Sequence, residues 1–205
     1  SYNSSLDQVI LSSRNRSEVY VIDHSTTIDE ASSNSGGTYG QGGDFLYRWG
    51  NPQNYGRGNE NDQILNTSGG ILWSLDSKSF FYSKLDKFHR PRKIFKHILG
   101  KSTEEDELVF EEKDETFTCS ISLSSDEKFY IISTSDHITT EEYFFSVDAE
   151  KIKPKLFQKR EIDVRYSIDS WGKYFYIHTN KNARDYKILR CNQTSIETIE
   201  EFIPA

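Results

Sequence analysis

Apolar residues recur along this chain with the period of two that marks a half-buried strand, as in Lys93-Ile94-Phe95-Lys96-His97-Ile98 and Val164-Arg165-Tyr166-Ser167-Ile168. Short continuous apolar runs such as Phe129-Tyr130-Ile131-Ile132 suit a central strand covered on both faces. No segment longer than about ten residues keeps a clean helical period without a Gly, Pro or β-branched interruption. The pattern predicts an all-β chain.

The strands recur in a fixed order. Ser74-Leu75-Asp76-Ser77-Lys78-Ser79-Phe80-Phe81-Tyr82, Ser122 to Ile131 and Ser167 to Ile177 each read as a short strand, a polar turn and an aromatic strand, and their first serines are 48 and 45 residues apart. A further copy opens the chain at Ser1 to Leu11, set farther away by two Gly-, Ser- and Asn-rich loops at 24–43 and 50–68. Two more strands follow each copy: 18–22 and 44–49, 93–98 and 107–111, 143–147 and 155–158, 186–190 and 197–203. Four strands in about 45 residues per unit is the signature of β-propeller blades. The expectation is one propeller or half-propeller domain over 1–205, with about four blades of four antiparallel strands, about 15 strands in all, and boundaries near 66, 116 and 163. The first blade is expected to be truncated.

Composition adds a division. All 15 lysines lie beyond residue 63, the first being Lys78, whereas 8 of the 12 glycines precede it. Such a break suits either one domain or two parents joined near Asn66-Thr67-Ser68. Met is absent, so the chain reads as processed, a fragment or edited. A net charge of -7 with scattered Lys and Arg disfavours a nucleic-acid partner. No apolar run reaches the roughly 18 residues of a membrane helix, and no secretory signal opens the chain. The expected chain is soluble, with its compartment open.

Two family resemblances divide at the same break. Residues 69–205 resemble the propeller domain of the prolyl oligopeptidase family, nearest to oligopeptidase B, through Gly69-Gly70-Ile71-Leu72-Trp73, Phe80 to Asp86, Arg90-Pro91, His97 to Gly100, Asp106 to Asp114 and Thr179-Asn180-Lys181. Residues 1–63 resemble the arylsulfate sulfotransferase propeller through Leu11 to Asn15, Val21 to Thr26 and Gly42 to Pro52. Together they imply a chimera, with a sulfotransferase-like blade over 1–66 and three oligopeptidase-like blades over 67–205.

Each resemblance implies a chemistry whose key groups are missing. In the prolyl oligopeptidase family a separate α/β-hydrolase domain cleaves the peptide, and the propeller restricts access. That chemistry uses a Gly-x-Ser-x-Gly nucleophile elbow, which this sequence lacks. The sulfotransferase resemblance places Arg14 at the position of a sulfate-binding arginine, since a guanidinium can grip such an anion with paired N–H donors. Its partner histidines are unmatched, which leaves Arg14 as a weak anion-site candidate or a solvated strand-end residue.

The other candidates are weaker. His24, His89, His97, His137 and His178 show no close metal-ligand spacing. Gly36 to Gly43 lacks the Gly-Lys-Ser/Thr ending of a phosphate loop. The runs Glu104 to Glu107 and Glu111-Glu112 read as solvated blade edges, and Trp49, Trp73 and Trp171 as packing between blades. Cys119 and Cys191 are expected to stay unpaired.

The expected function is a propeller scaffold, chimeric or designed, with no catalytic activity, metal or cofactor. The alternatives are a peptide- or anion-binding module and a residual sulfuryl-transfer enzyme. The expected partner is a second copy completing an eight-bladed ring, with closure of the four blades of one chain into a small ring as the alternative.

Overall fold

The structure, a computed structural model, describes residues 2–3, 8–13, 18–23 and 64–205. The first sheet contains β1 (Tyr2–Asn3), β2 (Gln8–Ser13) and β3 (Glu18–Asp23). The second contains β4 (Thr67–Trp73), β5 (Ser79–Leu85), β6 (Pro91–Ile98) and β7 (Glu107–Glu111). The third contains β8 (Thr118–Leu123), β9 (Phe129–Ser135), β10 (Thr140–Ser146) and β11 (Lys155–Gln158). The fourth contains β12 (Tyr166–Trp171), β13 (Tyr174–Thr179), β14 (Lys187–Asn192) and β15 (Ser195–Ile203). Within every sheet the strand order follows the chain, and neighbouring strands run antiparallel. The all-β meander expected from the repeats is present, with boundaries at Thr67, Thr118 and Tyr166. The strand expected at 44–49 lies outside the described residues.

The turn that opens each later sheet shows why the sequence repeats. Ser77, Glu127 and Gly172 all have positive φ, and each precedes a lysine. In the second sheet Asp76 Oδ1 accepts from the Lys78 N–H at 2.9 Å. In the third, the Ser124 hydroxyl donates to Asp126 at 3.0 Å and accepts from the Phe129 N–H at 3.0 Å. The counterpart of Ser74 is therefore Ser124, two residues beyond Ser122. The serine spacing misplaced this register because Ser122, Ser124 and Ser125 crowd the same stretch, and only Ser124 stands five residues before the following strand, as Ser74 does.

The chain divides into two compact units: Ser1–His89 with Phe95–Glu107, and Arg90–Ile94 with Leu108–Ala205. In the first, Ile64, Phe80 and Tyr82 are buried with Ile71, Trp73, Phe95 and Leu99 packed on them. Trp73 meets Phe80 edge to face at 5.8 Å. In the second, the third and fourth sheets face each other across one apolar layer that includes Ile131, Phe144, Phe157, Ile168, Phe175 and Ile177. Phe175 is fully buried, its ring 4.9 Å from both Phe129 and Phe144 and 5.5 Å from Phe157.

Polar contacts fix the register between these two sheets. Ser170 Oγ donates to Asp126 Oδ2 at 3.0 Å, and the Ser125 N–H donates to Asp169 Oδ1 at 2.8 Å. The Thr140 hydroxyl donates to the Tyr166 carbonyl and accepts from the Tyr166 N–H, both at 2.6 Å.

Three side chains depart from expectation. Trp171 is 63% exposed rather than packed, because it ends β12 on the outward face that alternates with buried Tyr166, Ile168 and Ser170. Trp49 lies outside the described residues. Asp106 and Glu112 leave the solvated edge that their acidic runs suggested. Asp106 is drawn inward by His97, whose Nδ1 lies 2.7 Å from Oδ1, and by the Tyr82 hydroxyl, which donates to Oδ2 at 2.7 Å. Glu112 is drawn inward by Arg160.

Candidate functional site

The densest polar cluster in the second unit forms where the segments after β7 and β11 meet β10. Strand alternation places Cys119 of β8, Thr134 of β9 and Glu141 of β10 in one cross-strand row. Arg160, two residues beyond β11, reaches this row. Its backbone N–H donates to Glu141 Oε1 at 2.7 Å, and its Nε and Nη2 donate to Oε2 at 3.0 and 2.8 Å. Nη2 also donates to Glu112 Oε2 at 2.7 Å. The guanidinium lies 4.0 Å from the centroid of the Phe117 ring, a cation–π distance.

Further donors complete the two carboxylates. The Tyr143 hydroxyl donates to Glu141 Oε2 at 2.8 Å, and the Asp114 N–H donates to Glu112 Oε1 at 2.8 Å. Arg92 Nη2 donates to the Glu112 carbonyl at 2.7 Å.

The electrostatics follow from this geometry. Burial pushes the Glu141 carboxyl up, but the hydrogen bonds from Arg160 and Tyr143 outweigh it and hold the group below the usual carboxylate range. Burial and the neighbouring Glu141 push the Tyr143 phenol up to about 12. Burial tends to lower the Arg160 pKa, yet its two carboxylates keep it above the ordinary value. Burial, with Glu112 nearby, pushes the Cys119 thiol up to about 12, so this sulfur is a poor nucleophile at neutral pH. The cluster therefore works as a charge-compensated brace whose carboxylates serve as acceptors and whose guanidinium is engaged on both edges and one face.

The residues singled out in the sequence do not converge. Arg14, His24 and the Gly36 to Gly43 loop lie outside the described residues. His89 and His137 are exposed, each in a turn. His178 is exposed and stacks on Tyr186 at 4.7 Å. His97 is buried beside Asp106 and Phe80, where its ring fills the core. Among the described residues, no group of three or more His, Cys, Asp or Glu is placed to hold a metal ion. Cys119 and Cys191 are both free and buried. Sequence reasoning missed the Arg160 brace altogether. Its one signal was the pair Glu141-Glu142 inside the strand Thr140 to Ser146, where acids on both faces require partners.

Comparison with known proteins places these sheets. The family model described as "Prolyl oligopeptidase, N-terminal beta-propeller domain" matches residues 11–205. Protease 2 of Moraxella lacunata is 34% identical over 123 residues, which are 60% of this chain and 18% of that protein. Dipeptidyl aminopeptidase BI of Pseudoxanthomonas mexicana is 31% identical over 130 residues, 62% of this chain and 18% of that protein. The chain thus spans less than a fifth of the length of these curated relatives.

Solved structures agree in fold. Prolyl oligopeptidase B from Galerina marginata superposes with a TM-score of 0.66 at 24% identity, covering 93% of this chain and 26% of that one. Oligopeptidase B from Leishmania major gives 0.64 at 24% identity, covering 68% and 20%.

The family match spans residues 11–205, on both sides of residue 66. One family thus accounts for sequence on both sides of the lysine boundary. The expectation of a sulfotransferase-like segment and of two joined parents finds no support in it.

Proposed function

The chain belongs to the prolyl oligopeptidase N-terminal β-propeller family, and from that premise we propose that it forms the access-restricting, non-catalytic part of a peptidase acting on short peptides. The family match across residues 11–205 carries this reading. The peptide substrate class comes from the relatives, which are named as a protease, a dipeptidyl aminopeptidase and a prolyl oligopeptidase.

Physically, an access filter needs a wall that excludes bulky chains without itself reacting. Antiparallel sheets joined by short turns, cross-braced by Arg160 and by the Asp126–Ser170 contact, supply such a wall. Bond cleavage is assigned to a hydrolase domain of the same family of proteins, because the Ser-His-Asp chemistry needs a nucleophile elbow that this sequence lacks.

The test is turnover of fluorogenic peptide amides carrying arginine or proline before the scissile bond. The expected result is no release of fluorophore above buffer by the purified chain. Release that scales with chain concentration and co-elutes with it overturns the reading.

A further inference from the structure

The layer between the third and fourth sheets contains one acid that forms no salt bridge among the described residues. Glu142 is 2% exposed and lies on the face of β10 opposite Glu141. From β9, the Ser133 hydroxyl donates to Glu142 Oε2 at 2.7 Å. From β12, the Tyr166 hydroxyl accepts the Glu142 N–H at 3.0 Å and donates to the Gln158 carbonyl of β11 at 2.6 Å.

The surroundings on this face are nearly free of charge. β12 contributes Tyr166, and β11 contributes Lys155, whose ammonium lies 5.9 Å from the Phe144 ring centroid. β9 contributes Phe129, Ile131 and Ser133, and β8 contributes Ser120 and Ser122. Arg160, Glu112 and Tyr143 gather with Glu141 on the reverse face. A carboxylate in such a layer has lost water and gained only one hydroxyl donor, so the neutral acid is the form that fits.

We propose that the layer between the third and fourth sheets is a proton-dependent latch, closed while Glu142 holds its proton and loosened when the proton is lost. Tyr166 is the moving part, because its hydroxyl joins the Glu142 backbone to Gln158 while its own backbone is held by Thr140.

The direction of the pH effect is fixed by burial. Burial pushes the Glu142 carboxyl up to about 8 from an ordinary value of 4.5, with the Ser133 bond working in the opposite sense. Between those values the folded chain holds a proton that the unfolded chain has released. The stabilisation is thus complete below about 4.5 and is lost as pH rises through about 8.

Hydrogen–deuterium exchange of the whole chain from pH 6 to 9, corrected for intrinsic rates, tests this. The expected result is a loss of protection at Glu142 and across Tyr166–Trp171 that approaches roughly tenfold per pH unit as pH rises towards about 8 and levels off above it. Glu142→Gln keeps the shape without the titration and is expected to hold its protection through pH 9. Ser133→Ala removes the one donor that favours the charged form and is expected to move the loss to higher pH. The same loss in Glu142→Gln, an unchanged wild type up to pH 9, or a Ser133→Ala profile shifted to lower pH overturns the proposal.

Discussion

Replacing Arg160 by methionine removes the cation from a cluster in which both acidic partners are nearly inaccessible. The Glu112 and Glu141 side chains are each 5% exposed, while Arg160 itself is 24% exposed. Methionine keeps much of the stem volume against Phe117, so the change isolates the charge and its hydrogen bonds. Breaking a buried ion pair by deleting one partner costs about 3–5 kcal/mol, because the remaining charge is left desolvated and unpaired. Partial access of water at the guanidinium places the expected loss near the lower end, about 3 kcal/mol. Arg160→Lys retains the charge without the two-edged fork and is expected to lose about half as much.

Urea titration at pH 7 gives the measurement, provided the slope with denaturant is unchanged. The pH dependence gives an internal check. In the wild type Glu141 is held below its ordinary value, so its contribution is present above that value and is lost as pH falls through the lowered one. In Arg160→Met the Glu141 carboxyl is no longer held down, and the deficit against wild type is expected to shrink between pH 7 and pH 4. A loss below about 1 kcal/mol, the range of solvent-exposed ion pairs, refutes the reading of this cluster as a buried brace.

The remaining predictions concern the core and the surface. Phe175→Ala empties the space among Phe129, Phe144 and Phe157 and is expected to cost about 3–5 kcal/mol by urea titration; a cost under about 1 kcal/mol contradicts the shared layer. Trp171→Ala is expected to change stability by no more than about 0.5 kcal/mol while removing an iodide-quenchable part of the tryptophan fluorescence; a large loss places Trp171 in the core. Cys119 and Cys191 are expected to react slowly with a thiol reagent in the native chain and to count as two free thiols in the denatured, unreduced chain, and a count of none contradicts the structure.

The strands were legible because each carries its own local signal. Alternation such as Lys93 to Ile98 and apolar runs such as Phe129 to Ile132 do not depend on distant partners, and the turn chemistry between them recurs with each sheet. The fate of individual charged residues was not legible, because it is decided by residues far away in sequence. Glu112 looks like the end of an acidic run until Arg160, 48 residues later, is brought against it. Asp106 turns inward only because His97 and Tyr82 converge there. Trp171 misled in the opposite sense: an aromatic residue reads as core, but the alternation of β12 leaves it on the outward face. The lysine boundary was real in the sequence, but composition alone did not distinguish a change of family from variation within one.

The central claim is that these residues form the propeller part of a peptidase family and supply no reacting group. Labelling of the purified chain with a fluorophosphonate probe, read by intact mass, tests it whatever the substrate, because the probe reacts with activated serines of any specificity. The account predicts an unmodified mass of 23.8 kDa after prolonged incubation. Stoichiometric modification of any serine in the folded chain, lost on denaturation, would contradict it.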